Sequence, residues 1–213
     1  MPLPRFHRLP PERQAYILDV ARRHFAEHGP EAASYNKIIE AVGFSKTAAY
    51  QYFDGRDDLL SAVLDAVRER LSSALGPWTE ARRAEEFWSR LEQGSWALIS
   101  HLHTHPEDLA LAVAALGKGG DEEYLTWFTA VVANGQRLGV IRTDVDRDLL
   151  VAVTAAVFQA ADARTLARLR ASDAAETTDL QLWSLLRGLW SPPDGRGSDG
   201  GHYGDRKGGD LAH

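Results

Sequence analysis

Apolar residues along this chain recur with a helical period almost throughout, and no sustained alternation marks a strand. Between Pro10-Pro11 and Gly29-Pro30, Ile17, Ala21 and Phe25 fall at i, i+4 and i+8, the apolar stripe of an amphipathic helix. Ser34 has the character of an N-cap. The helix it opens turns Ile38, Ile39 and Val42 inward and stops at Gly43. Ser45 caps a further short helix, predicted from Lys46 to Phe53 and broken by Asp54-Gly55. Arg56 starts a longer one, with Leu59, Leu60, Val63, Leu64 and Val67 on its buried side, ending near Gly76-Pro77. Beyond Pro77 the segments lengthen. Helices are predicted from about Thr79 to His103, from Pro106 onward, and from about Glu122 to Leu138. Two more follow, from the N-cap Asp146 to about Ala171 and from about Ala174 to Trp190. From Ser191 the chain is rich in glycine, almost without apolar residues, and expected to be disordered.

Residues 11–56 thus hold three helices, the second and third short and joined by Gly43-Phe44. That is the layout of a helix-turn-helix, with the first helix as its support. The stretch from Ser34 to Leu59 resembles the N-terminal domain of TetR-type bacterial transcriptional regulators, and Ala21, Phe25 and Gly29 match that family's first-helix pattern. The family's recognition segment has a Ser-type cap, a Tyr, a Phe three positions later, then Lys, an acidic pair and Leu. Here these are Ser45, Tyr50, Phe53, Arg56, Asp57, Asp58 and Leu59. Arg56 keeps the charge of the usual Lys and adds a bidentate fork. Tyr52 takes the aromatic or His position before Phe53, and Ala48-Ala49 replaces a bulkier pair. The resemblance implies an all-α protein of about nine helices. Its domains are a helix-turn-helix domain over 1–56, a larger ligand-binding and dimerisation domain over 57–190, and a disordered tail over 191–213.

A recognition helix needs small or polar side chains on its outward face to reach base edges in the major groove. Lys46, Thr47 and Gln51 fit that need, with Asn36 at the start of the preceding helix. Lys suits guanine O6 and N7, Gln suits adenine N6 and N7, and the Thr methyl suits thymine. Ser34, Tyr35, Lys37, Ser45, Tyr50, Tyr52 and Arg56 suit phosphates. The plainer alternative is that Ser34 and Ser45 only cap, Tyr52 packs in the core and Lys37 is a solvated surface residue.

For the rest of the chain the resemblance implies a ligand cavity and a dimer interface. Trp78, Trp88, Trp96, Trp127 and Trp183 lie there with Phe87, Phe128 and Phe158, and Trp190 closes the last helix. Aromatic walls with a few polar groups are how small apolar or aromatic ligands are held, although such stripes are equally a core pattern. The candidate lining residues are Trp96, Trp127, Phe128 and Phe158, with His101 and Gln159 as polar handles. His101 and His105 stand at i, i+4 before Pro106, but without an HExxH pattern or a carboxylate pair they read as a helix C-terminus, and no metal is expected. Two strongly apolar helices, about 146–171 and 174–190, carry Leu149, Leu150, Val153 and Val157 and then Leu182, Leu185, Leu186 and Leu189. They suit an intermolecular four-helix bundle between two copies, or ordinary packing within one.

The chain has 213 residues and a formal net charge of −6, which by itself argues against a protein that coats nucleic acid. Its distribution changes the picture. Residues 1–53 carry seven Arg and Lys against five Asp and Glu, for +2, which leaves −8 for the remainder. Arg5, Arg8 and Arg13 form a basic N-terminal arm, for further phosphate contacts or simply for solvation. The chain has no cysteine, which excludes disulfide scaffolds, thiol nucleophiles and Cys-ligated metals and fits a cytoplasmic protein. No unbroken apolar run approaches the roughly 20 residues of a membrane span, and no signal peptide begins the chain. No P-loop or GxSxG motif is present, so neither an enzyme nor a cofactor is expected. The expected partners are an operator of double-stranded DNA, a small-molecule effector and a second copy of the chain. The alternative is an all-α carrier that keeps the aromatic pocket without any DNA-binding role.

Overall fold

The computed structural model describes residues 2–116, 122–171 and 180–191, and among these it contains nine α-helices, one short 3-10 turn and no strand. The predicted disordered tail and the predicted start of the last helix at Ala174 lie outside the described residues, apart from Ser191.

The first helix, α1 (Pro11–His28), opens on a proline at a position that needs no N–H, and buries Ile17, Val20, Ala21 and Phe25. α2 (Tyr35–Val42) buries Ile38, Ile39 and Val42. It stops at Gly43, whose φ of 82° and ψ of 27° lie in the left-handed region that a side chain would strain. The N–H groups of Gly43 and Phe44 turn back to the Glu40 and Ile39 carbonyls and close the cap. α3 (Lys46–Ala49) is a single turn, capped by Ser45, whose Oγ accepts from the Ala48 N–H at 3.2 Å.

The helix predicted to reach Phe53 therefore ends at Ala49. The N–H groups of Gln51 and Tyr52 bond only three residues back, to Ala48 and Ala49, and tighten the chain into a turn. That turn delivers Phe53 into the core, where its ring lies 4.9 Å from Phe6. The N-terminal segment is docked as well. Phe6 is buried within the 3-10 turn Phe6–Arg8, and the Leu3 N–H donates to the Tyr52 carbonyl at 2.9 Å. Arg5 and Arg8 thus sit on a segment held against the helix-turn-helix, and Arg13 lies inside α1 with Nη2 on the Val42 carbonyl at 3.3 Å.

α4 (Arg56–Leu75) is the spine that leaves this end of the molecule. α5 (Ala84–Thr104) starts later than the predicted Thr79, because the connector before it is used otherwise. Asn134 accepts the Ala81 N–H at 2.7 Å and donates to the Ala81 carbonyl at 3.1 Å, so that backbone cannot also serve a helix. α6 (Pro106–Leu116), α7 (Glu122–Arg137), α8 (Arg147–Arg170) and α9 (Leu180–Trp190) complete the body. Asp146 caps α8 by accepting the Leu149 N–H at 2.9 Å. By length and composition α8 is apolar enough to cross a membrane, with a mean hydropathy of 1.4 over 18 residues and 33% of that window buried. No unbroken run shows this because Thr154, Gln159 and Asp162 interrupt the leucines, valines and alanines that supply the hydropathy.

Two cores result. The first unites α1, α2 and α4 with α6 through Phe25, Ile38, Phe53, Leu59, Val67 and Leu111, so it continues past residue 56. The second gathers Phe87, Phe128, Val131, Leu150, Leu186 and Trp190. In it the Trp190 indole N–H donates to Thr154 Oγ1 at 3.0 Å.

One buried carboxylate ties the first core together. Asp108 of α6 has no solvent exposure and accepts two bonds from Arg70 of α4, both 2.9 Å. Arg22 of α1 approaches it at 3.2 Å and His101 Nε2 of α5 at 2.9 Å. Burial alone would raise its pKa. The hydrogen bonds from Arg70 and His101 and the charges of Arg70 and Arg22 outweigh that and hold it below the usual carboxylate range.

Candidate nucleic-acid interface and ligand cavity

α2 and α3 present the polar surface predicted from the sequence, and the Gly43 cap sets the angle between them. Asn36 and Lys37 on α2, and Lys46, Thr47 and Gln51 on and after α3, are all exposed. None of these five side chains makes a hydrogen bond or ion pair among the described residues. The two groups are brought close by Tyr35 and Tyr50, whose ring centroids lie 5.9 Å apart across the α2–α3 junction. Tyr50 is 57% exposed.

The remaining predicted phosphate contacts divide. Ser45 is spent as a cap, and Ser34 is exposed without a side-chain capping bond. Tyr35 is half-buried, its hydroxyl oxygen is enclosed without a hydrogen-bond partner, and burial with Tyr50 and Asp58 nearby pushes its pKa up to about 12. Tyr52 stacks on Phe44 at 5.1 Å and is half-buried. Arg56 donates Nε to the Ala33 carbonyl at 3.1 Å and Nη1 to Asp57 at 2.8 Å, and lies 5.8 Å over the Phe25 ring. Tyr35, Tyr52 and Arg56 therefore brace the helix-turn-helix against α1 and α4, and the free polar groups are the shorter set around Lys46. Of the basic residues before Phe53, Arg13, Arg22 and Arg23 are engaged within the fold. Lys37 and Lys46 hold no ion pair among the described residues.

The body holds a partly open cavity of about 1740 Å³ lined by residues of α4 to α9, larger than the roughly 300–1,000 Å³ of ordinary small-molecule sites. Five of the six predicted lining residues, Trp96, Trp127, Phe128, Phe158 and Gln159, reach it. Trp96 is 52% exposed and so stands at the rim. His101 does not line it, because its Nε2 is held by Asp108 at the junction and its ring stacks on His105 at 4.2 Å. The walls are a succession of rings in contact. Trp78 meets Trp127 at 5.7 Å, Trp127 meets Phe128 at 5.0 Å, Phe128 meets Phe158 at 5.0 Å, and Phe158 meets Trp183 at 6.5 Å. The two indoles of the floor are fixed by donating to Asn134 Oδ1 and to the Gly76 carbonyl, each at 3.1 Å.

Sequence reasoning missed the polar members of this cavity. Tyr124 lines it and donates to the Ala155 carbonyl at 3.4 Å, while burial and the nearby Asp162 carboxylate raise its pKa. Asp162, one turn beyond Phe158, is half-buried and lines it without a hydrogen bond or ion pair among the described residues, and desolvation against the cavity walls pushes its carboxyl up to about 7. An aspartate between two alanines, one turn after Phe158 in the middle of the helix, was the available signal.

Residues 17–63 match the family model described as bacterial regulatory proteins, tetR family. Over 61 residues the chain is 36% identical to an HTH-type transcriptional repressor of Mycobacterium tuberculosis, covering 29% of this chain and 33% of that protein. Over 58 residues it is 41% identical to the HTH-type transcriptional repressor AcnR of Corynebacterium diphtheriae, covering 26% and 30%. The match thus spans about a third of the length of these curated relatives. The whole body is similar in fold to a TetR family transcriptional regulator from Chloroflexus aurantiacus, with a TM-score of 0.51 and 23% identity over 88% of this chain and 87% of that one. A structure from Shewanella sp. PV-4 described as a tetR family transcription regulator gives a TM-score of 0.59 at 15% identity, over 84% and 97%. At these identities the likeness is one of fold.

Proposed function

We propose, from the match of residues 17–63 to the tetR family of bacterial regulatory proteins, that the chain is a ligand-responsive, sequence-specific repressor of transcription. It binds a palindromic operator as a homodimer in the cytoplasm and is released by a small, largely apolar or aromatic effector. The observation that carries this reading is the set Asn36, Lys37, Lys46, Thr47 and Gln51, exposed and without hydrogen-bond or ion-pair partners among the described residues, on a helix-turn-helix in which Tyr35, Tyr52 and Arg56 are held in packing. The sequence relatives named as HTH-type transcriptional repressors support repression.

The dimer reading is supported by a stripe on the outside of α8 and α9. Leu149 is 56% and Leu185 64% exposed, with Val153 and Ala160 exposed along α8. Two copies of this stripe suit a four-helix interface. In such a dimer the reading helices enter successive major grooves roughly 34–36 Å apart, or a multiple of that. α4 lines the cavity and belongs to the first core, so an effector that binds two conformers unequally shifts the helix-turn-helix through it.

Fluorescence anisotropy against genomic intergenic fragments tests the reading. The expected result is salt-dependent, sequence-selective binding by a dimer, lost in Leu185→Glu, which sediments as a folded monomer. Binding without sequence preference, or no binding at all, overturns it.

A further inference from the structure

The cavity holds one feature that an apolar ligand leaves unexplained. Asp162 projects from the same side of α8 as Phe158, four residues before it, and faces the aromatic walls with no cationic partner among the described residues. A carboxylate placed alone in such surroundings is costly in the empty protein, and a charged ligand group offsets that cost. Around it the other ionisable groups of the lining are Asp65, Arg68 and Glu69 from α4, Glu92 from α5, Tyr124 from α7 and Arg187 from α9. Arg68 is paired with Asp65, and the Arg187 guanidinium lies 4.8 Å over the Trp88 ring. Both positive groups of the lining are thereby engaged. Glu69, Glu92 and Asp162 hold no hydrogen bond or ion pair among the described residues. The faces of Phe128, Phe158 and Trp183 add their own attraction for positive charge.

We propose that the effector is an organic cation, a quaternary or protonated amine on an aromatic or branched apolar body, with its charge set against Asp162 and its body against the rings of Phe128, Phe158 and Trp183. The inference rests on the reading of this cavity as the effector site and adds the ligand's charge to it. Binding of such a cation keeps Asp162 ionised, so below neutral pH the carboxyl releases a proton as the cation enters.

The test uses the full chain and three probes of similar size. These are benzyltrimethylammonium, its neutral carbon isostere neopentylbenzene and the anion phenylacetate, followed by tryptophan fluorescence and calorimetry. The cation is expected to bind at least tenfold more tightly than the other two. Its affinity is expected to rise between pH 6 and pH 8. Asp162→Asn, a change of nearly equal shape, is expected to lose at least tenfold for the cation, to flatten the pH dependence and to leave the neutral isostere unchanged. Equal binding of the neutral probe, or indifference of the cation to Asp162→Asn, overturns the charge assignment and leaves the effector cavity standing. Binding of none of the three overturns both. Should Asp162→Asn fail to fold, the comparison of the three probes on the unaltered protein still decides.

Discussion

Around Lys46 the polar side chains stand outside, on a helix of a single turn, with no partner in the described structure. Around Asp162 one carboxylate stands inside, among rings that touch one another, on a helix of 24 residues. Both regions keep polar groups unsatisfied, but at very different cost. At the surface, water serves Lys46, Thr47 and Gln51 until another molecule replaces it, so the reading end contributes almost nothing to folding and is free to specify a sequence. In the cavity nothing in the wall replaces the water lost, so the carboxyl gives up part of its acidity. Unpaired polar groups thus stand at both of the proposed binding sites, and their degree of burial separates the two kinds of partner proposed for them. Exposed donors match the base edges and phosphates of a groove, and a half-buried carboxylate without a partner matches a positive charge.

Between the two regions lies the first core, which belongs to both. Its α4 leaves the helix-turn-helix and enters the cavity wall, and Asp108 ties α1, α4, α5 and α6 at one point. Substitutions that break or sharpen the contrast rank by their effect on folding. The largest are in the cores. Phe25→Ala and Trp190→Ala are each expected to cost about 3–5 kcal/mol in urea denaturation. Phe25→Ala should act on the reading end and the junction together, because Phe25 lies in the core they share. If Phe25→Ala melts α1 to α3 alone and leaves the body's transition unmoved, the two ends are separate units and the contrast loses its link.

Next comes Asp108→Ala, which strands the Arg70, Arg22 and His101 groups around it and is expected to cost about 3–5 kcal/mol. Because the folded-state pKa of Asp108 is lowered, its contribution is present above the ordinary carboxylate value of about 3.9 and is lost as pH falls through the folded value. Urea midpoints measured from pH 6 down to pH 2 should show this loss in the natural protein and a shallower slope in Asp108→Asn. An identical slope in the two proteins removes Asp108 from the account of acid unfolding. Smaller still is Ser45→Ala, which deletes the cap of α3 and is expected to cost about 1 kcal/mol. It should weaken operator binding as well, since α3 has no second turn to hold it.

What was legible in the sequence follows the range of the interactions. The Gly43 cap, the Ser45 cap and the Asp146 cap are made within a few residues and were visible as local signals. Ser34 has the same signal and makes no side-chain capping bond, because residue type permits such a bond without requiring it. The end of α3 at Ala49 was not legible, since the tightened turn accompanies the burial of Phe53 against Phe6, a contact between distant segments. The Asp108 cluster was equally hidden. Its partners come from three other helices, and His101, taken alone, reads as a cavity handle or half of a metal site. The aromatic lining was legible because it is made of large residues at helical spacing. Its depth and the isolation of Asp162 were not, because both depend on how six helices stand around one space.

The proposed reading surface acts on DNA while owing the fold nothing, and the double variant Lys46→Ala, Gln51→Ala tests this most directly. Operator affinity and the unfolding midpoint are measured on the same preparation. The account predicts a loss of roughly tenfold or more in operator affinity for each substitution. It predicts folding stability within about 0.5 kcal/mol of the natural protein, with probe binding in the cavity unchanged. Undiminished operator affinity, or a loss that appears only alongside a comparable loss of stability, contradicts it.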